Sequence, residues 1–192
     1  MSLIRAFIAI ELPTELKQEL TVLETKLKKN SPPVIKWVDP ASIHITLKFL
    51  GDTSDTIIDR LLVAMAESVT GIAPFELETH QLGAFPAVER PQVIWVWVSG
   101  EMDELTRLRD NIEKNTEALG FKRESRPFSP HLTLGCVRDG ARPDEVQRIG
   151  KLLGETSFTA LHKFNASEVN LLKSQLTAAG AIHTVIGTVK LK

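Results

Sequence analysis

The sequence predicts an α+β protein of two similar lobes that share a core or face one another across a cleft. Three observations predict it. Strand and helix periodicities alternate along the chain, the second half repeats the order of elements of the first at an offset of 87 residues, and His-x-Thr-Leu occurs in each half at that same offset. The 192 residues, 43% apolar and 24% charged, suit one or two small globular domains.

Taken in order, residues 4–10 read as a strand, and Pro13 opens a helix whose Leu16, Leu20, Leu23 and Leu27 recur at helical spacing. Asn30-Ser-Pro-Pro stops that helix, 34–38 is a short extended piece, and Asp39-Pro40 turns the chain into a strand over 43–50, ended by Gly51-Asp52. Ile57, Ile58, Leu61, Leu62, Met65 and Val69 stripe a second helix closed by Gly71, and 75–82 is extended. The order then recurs. Residues 92–98 form a strand, Met102, Leu105, Leu108, Ile112 and Leu119 stripe a helix stopped by Gly120, and Pro130 leads into a strand over 131–137. Pro143 starts a short helix, and extended stretches over 158–172 and 181–191 finish the chain, with Ala178-Ala179-Gly180 as the turn between them. A strand-helix-strand-helix-strand unit of this kind cannot bury its sheet alone, which is why two are expected to pack together.

The formal charge of −1 argues against a protein that coats long nucleic acids and leaves a small-footprint contact open. The bias is mild: 8 Lys and Arg stand against 11 Asp and Glu up to residue 87, and 15 against 13 beyond it. No apolar run approaches the roughly 18 to 20 residues of a membrane span, and the N-terminus lacks a signal-peptide pattern. A cytoplasmic protein is expected. Cys136 is the only cysteine, so an internal disulfide and a Cys-rich zinc site are excluded by counting.

Sequence identity between the halves is concentrated in His44-Ile45-Thr46-Leu47 and His131-Leu132-Thr133-Leu134. With average residue usage this pairing is a chance event of roughly a few in ten thousand. Strand alternation sends Ile43, Ile45, Leu47 and Phe49 to the core and His44, Thr46 and Lys48 to the other face; His131 and Thr133 oppose Leu132 and Leu134 in the same way. One such strand alone reads as an ordinary half-solvated strand. Two equivalent ones can bring both imidazoles and both hydroxyls onto one small ligand. Phosphoryl transfer at neutral pH suits that set, because of two histidines with an ordinary pKa near 6.5, one can be a neutral base and the other a protonated acid. The threonines can donate to phosphate oxygens, and Lys48, Arg126 and Arg138 are the candidate cations.

A metal site is the competing reading, but neither motif carries Asp, Glu or Cys two to four residues from its histidine on the polar face, and two histidines are too few. His80, His162 and His183 have no threonine partner and read as structural or surface residues. Cys136 reads as a packed thiol, and Trp37, Trp95 and Trp97 as core or lobe-interface packing. Phe7 is either core or a platform on which a terminal base stacks.

Nearly the whole chain resembles the 2H phosphoesterases, and within them the RNA 2',3'-cyclic phosphodiesterases also called 2'-5' RNA ligases. The resemblance is carried by Arg5-Ala-Phe7-Ile-Ala-Ile10-Glu-Leu-Pro13, by Trp37-Val-Asp-Pro-Ala-Ser-Ile-His44-Ile-Thr-Leu-Lys-Phe-Leu-Gly51 and by Arg126-Pro-Phe-Ser-Pro-His131-Leu-Thr-Leu-Gly135. It implies one domain over 1–192 with two pseudo-twofold-related lobes, about 1–87 and 88–192, strand exchange between them being open. Each lobe then has an antiparallel sheet with helices on its outer face, and the cleft between them holds His44, Thr46, His131 and Thr133. It implies opening of RNA 2',3'-cyclic phosphate ends to 2'-phosphates, with ATP-independent 2'-5' joining of RNA ends such as tRNA halves as a second capacity, and neither metal nor nucleotide cofactor. By analogy His44 is the proton donor and His131 the proton acceptor. The partners implied are such RNA ends or cyclic nucleotides, with no membrane, for a monomer. Relatives often carry arginine where this chain has Cys136, which leaves the phosphate's cation open among Lys48, Arg126 and Arg138. The alternatives are a noncatalytic RNA-end binder, or a related enzyme for 2'-5' oligonucleotides or small cyclic phosphates.

Overall fold

Apolar residues at alternate positions give each strand one face to bury, and the amphipathic helices supply what buries it. The computed structural model describes residues 2–158, 162–177 and 180–192. Its elements run β1 Leu3–Glu11, α1 Thr14–Asn30, β2 Ile35–Trp37, a 3-10 turn at Pro40–Ser42, β3 His44–Ser54, α2 Ile58–Ser68, β4 Phe75–Ala87 and β5 Arg90–Gly100. They continue with α3 Met102–Glu117, β6 His131–Val137, α4 Pro143–Glu155, β7 His162–Ala166, β8 Glu168–Thr177 and β9 Gly180–Lys190. The α+β class with antiparallel sheets is as expected. Leu16, Leu20, Leu23 and Leu27 all lie on the buried side of α1, which ends before Pro32, whose ring nitrogen cannot continue the hydrogen-bond ladder.

One sheet has the order β3-β1-β8-β9 and the other β2-β6-β5-β4-β7. The offset of 87 places β5 on β1, β6 on β3, and the β7–β8 region on β4. Each half therefore sends a strand to the other's sheet: β4 lies against β5, and β8 against β1. Residue 87 falls at the tip of the β4–β5 hairpin, where Ala87 pairs with Arg90, so neither sheet is built from one half of the chain. The single extended stretch expected over 158–172 is instead two strands, which change sheets at Ser167. Residues 159–161 of that stretch, and Ala178 and Ala179 of the expected turn, lie outside the described residues.

Ile8, Ile10 and Ile45 of one sheet, Ile94, Val96 and Leu132 of the other, and Leu16, Leu20, Leu105 and Leu108 of the helices belong to one continuous buried core. Phe7, Ala9 and Leu172 form a small separate cluster on the opposite face of the four-stranded sheet. Among the described residues no helix is long and apolar enough to cross a membrane.

A β-bulge corrects the alternation read from sequence. Ala9 pairs with Thr46 and Ile8 with Lys48, so Leu47 is an extra residue; a second shift leaves Leu50 without a partner. Lys48 is thereby turned to the helix side, 4% exposed, where its Nζ donates to Glu113 of α3 and to the Lys122 carbonyl at 2.8 Å. It is not on the histidine face. Phe49 is the converse case, 73% exposed on the histidine face beside Phe7.

Breaking a buried ion pair from one side leaves an uncompensated charge at a cost of about 3–5 kcal/mol. Glu113→Ala should lower the urea-unfolding free energy by about that much. A loss under about 1 kcal/mol, the level of an exposed pair, would show that Lys48 is not sealed in the core.

Candidate active site

β3 and β6 each begin on a histidine, and the residue two positions earlier is a serine in both cases. Nδ1 of His44 lies 2.8 Å from the Ser42 carbonyl, and Nδ1 of His131 lies 2.6 Å from the Ser129 carbonyl. A carbonyl only accepts, so Nδ1 must carry the hydrogen in both rings, and Nε2 is the nitrogen left for a ligand. The paired Ser-x-His was visible in the sequence, but strand alternation says nothing about a side chain bonding back to its own turn. Thr46 and Thr133 lie two residues along the same faces, half-buried. The two strands approach each other, and the segment leading to His44 is tied to the second motif: the N–H of Val38 donates to the Leu134 carbonyl at 2.8 Å.

The two imidazoles have different surroundings. His44 stacks on Phe7 with ring centroids 4.6 Å apart and meets His183 edge-on at 5.2 Å. Burial pushes its pKa down to about 4, with His183 and Lys17 adding to the effect and the Ser42 carbonyl and Glu11 opposing it. It is neutral at pH 7 in the free protein. His131 meets the ring of Phe85 edge-on at 5.1 Å and lies 6.4 Å from Trp95.

Other expectations need correction. Phe7 is 3% exposed, its ring already covered by His44 and His183, so it is a support for His44 and not a free platform. His183, read from sequence as structural, joins the site from β9; its Nδ1 is buried with no hydrogen-bond partner among the described residues. No local signal could have found it, because it reaches His44 from the far end of the chain. His80 donates to or accepts from Ser99 Oγ at 3.1 Å, and the side chain of His162 lies outside the described residues. Arg126 is 81% exposed and paired with Glu124 at 2.6 Å, holding that carboxyl well below its usual range. Arg138 follows the last residue of β6, and its N–H donates to the Val34 carbonyl. Trp95 and Trp97, 5.3 Å apart, are half-buried on the His131 face, not in the core.

The register supplies a cation that the sequence did not. Lys36 of β2 is directly opposite Cys136 of β6, the position where arginine was expected. Gly135 is buried on the core side with Ile35, so Cys136 and Lys36 share the histidine face, both exposed. Cys136 is therefore not packed as expected. Among the described residues no group of three or more His, Cys, Asp or Glu could hold a metal ion.

The family described as LigT like Phosphoesterase matches twice, over residues 10–95 and 96–183. A protein of Methanothermobacter thermautotrophicus named RNA 2',3'-cyclic phosphodiesterase is 30% identical over 94% of this chain and 95% of its own. One of the same name from Aeropyrum pernix is 35% identical over 81% and 86%. The crystal structure of E. coli LigT complexed with 3'-AMP superposes with a TM-score of 0.74 at 22% identity, covering 99% of both chains.

Keeping His44 neutral ties stability to pH with a definite sign. Its folded pKa of about 4 lies below the ordinary 6.5, so between these values the unfolded chain binds the extra proton. The contribution is whole above about pH 6.5 and is lost as pH falls toward 4. Unfolding free energies measured from pH 7.5 to 4 should fall more steeply for the wild type than for His44→Gln; parallel curves would contradict the burial of this ring.

Proposed function

Because the chain belongs to the LigT-like phosphoesterase family, we propose that this enzyme opens 2',3'-cyclic phosphate ends of RNA to 2'-phosphomonoesters, using its two motif histidines and no metal. The observation that carries the reading is the matched pair of imidazoles, each with Nδ1 pinned by the carbonyl two residues back and Nε2 left for a ligand. The names of relatives aligned over most of the chain support the substrate class.

In the proposed reaction water attacks phosphorus as its proton passes to Nε2 of His131. The P–O3' bond breaks, and His44 delivers a proton to the departing O3', leaving a 2'-phosphate and a 3'-hydroxyl. The donor role requires His44 to be protonated, which its burial opposes. A phosphate anion beside it reverses the balance: two unit charges about 4 Å apart at an effective dielectric near 20 attract by about 4 kcal/mol. That is enough to bring a pKa of about 4 close to neutrality. His44 then gains its proton only with substrate in place. Thr46 and Thr133 donate to the non-bridging oxygens as charge gathers on them. Lys36 supplies the positive charge in place of Lys48, which is committed to Glu113, and of Arg138, which sits beyond the strand end.

Separate His44→Ala and His131→Ala variants should each lose at least roughly 10²-fold in turnover of an RNA with a 2',3'-cyclic end. The wild type should give a 2'-phosphate, with EDTA present or absent. Full activity in either variant, or activity that disappears on chelation and returns with zinc, would falsify the two-histidine reading. RNA bound without product would favour a noncatalytic end binder.

The role of Lys36 has its own test. One charge-assisted contact to phosphate is worth about 1.5–3 kcal/mol, so Lys36→Ala should reduce kcat/KM by roughly 10- to 100-fold. Adding Cys136→Arg to that variant should recover most of the loss. An unaffected Lys36→Ala enzyme would assign the charge elsewhere.

A further inference from the structure

On the histidine face of the five-stranded sheet, rows of side chains run from strand to strand. Lys36 lies opposite Cys136, Trp95 opposite Thr133 and Gly83, and Trp97 opposite His131 and His80. A cation, Lys36, and the aromatic rings of Trp95 and Trp97 thus flank β6 on opposite sides. Beyond the two indoles the sheet leaves a cavity of about 390 Å³, bounded by His80, Gln81, Gly83, Val88, Trp95 and Trp97. Its size falls within the range of pockets that take small ligands.

The lining of this cavity has three features. Gly83 has no side chain where one would collide with the Trp95 ring: a Cβ there would lie 2.2–2.5 Å from ring atoms, so the glycine is what lets the indole lie flat along β4. The Nε1 of Trp95 is buried and has no hydrogen-bond partner among the described residues. Gln81 is the residue at the β4 bulge and the one non-glycine with positive φ among those described, at 55°, which puts an exposed amide at the rim. Flat aromatic faces with a few polar groups at the edge match a planar heterocycle with hydrogen-bonding edges.

We propose that this cavity is a nucleobase subsite, which seats the base of the RNA's terminal nucleotide against Trp95 and Trp97 while its phosphate lies at His131. The proposal rests on the reading of the chain as an RNA-end phosphodiesterase and adds the side of the cleft on which the RNA is held. The other side offers less room, because Phe7 and His183 already cover His44. Because every base has a π-face, such a subsite accepts any terminal base, and the exposed Gln81 amide at the rim is the group placed to discriminate among them.

Direct binding separates this from catalysis. The probes are adenosine 2'-monophosphate and the corresponding base-free ribose 2-phosphate, titrated calorimetrically against the intact protein. Stacking of one base should make the nucleotide bind roughly 10- to 100-fold tighter than the base-free probe. Trp97→Leu should collapse that ratio to near one. Ala87→Trp, at the hairpin tip, should do the same by filling the cavity, and serves if Trp97→Leu does not fold by circular dichroism. Equal affinity of the wild type for both probes, or a preference that survives in the folded variants, overturns the subsite. A protein that keeps the preference yet turns over no cyclic end retains the subsite and refutes the proposed reaction instead.

Discussion

Reciprocal exchange of strands is the constraint on which the rest of this molecule depends. Each repeat has a sheet face to bury and too few strands to cover it, and each resolves this by borrowing from the other: β4 flanks β5, and β8 flanks β1. The resulting core runs without a break through both sheets and the helices. Each sheet therefore contains strands of both halves, and the chain crosses from one sheet to the other between β3 and β4 and between β7 and β8.

Much of this was legible in the sequence. The 3.6-residue stripes located α1, α2 and α3, Pro143 marked the start of α4, and the repeated His-x-Thr-Leu located the two strands that carry the imidazoles. What failed did so where the pleat is interrupted or where distant strands meet. Alternation assumes an uninterrupted pleat, and the bulges at Leu47 and Leu50 interrupt it, so Lys48 enters the core and Phe49 leaves it. Cross-strand register is equally invisible in a single sequence, which is why Lys36 was passed over and Arg138 retained. His183 was missed because only the tertiary fold brings β9 to His44.

The two histidines share a local device and differ in everything around it. The carbonyl that fixes each tautomer comes from the turn just before the strand, and both halves have it. The ring neighbours come from other strands and have diverged: a phenylalanine and a histidine enclose one imidazole, while Phe85 and two tryptophans border the other. The proton affinity of His44, lowered by burial, is thereby tuned by parts of the chain remote from the motif.

The position one residue past each motif leucine shows how the copies came to differ. In the second repeat it is Gly135, and β2 lies so close that a Cβ would stand 3.1 Å from the Lys36 carbonyl oxygen. In the first repeat it is Lys48, and the corresponding stretch of chain, which includes Lys122, is held by a side-chain ammonium and forms no added strand. One sheet consequently gains an edge that the other lacks, and with it a lysine on the reactive face. Two-fold ancestry has given way to handedness. A ligand with unlike ends would meet two unequal seats.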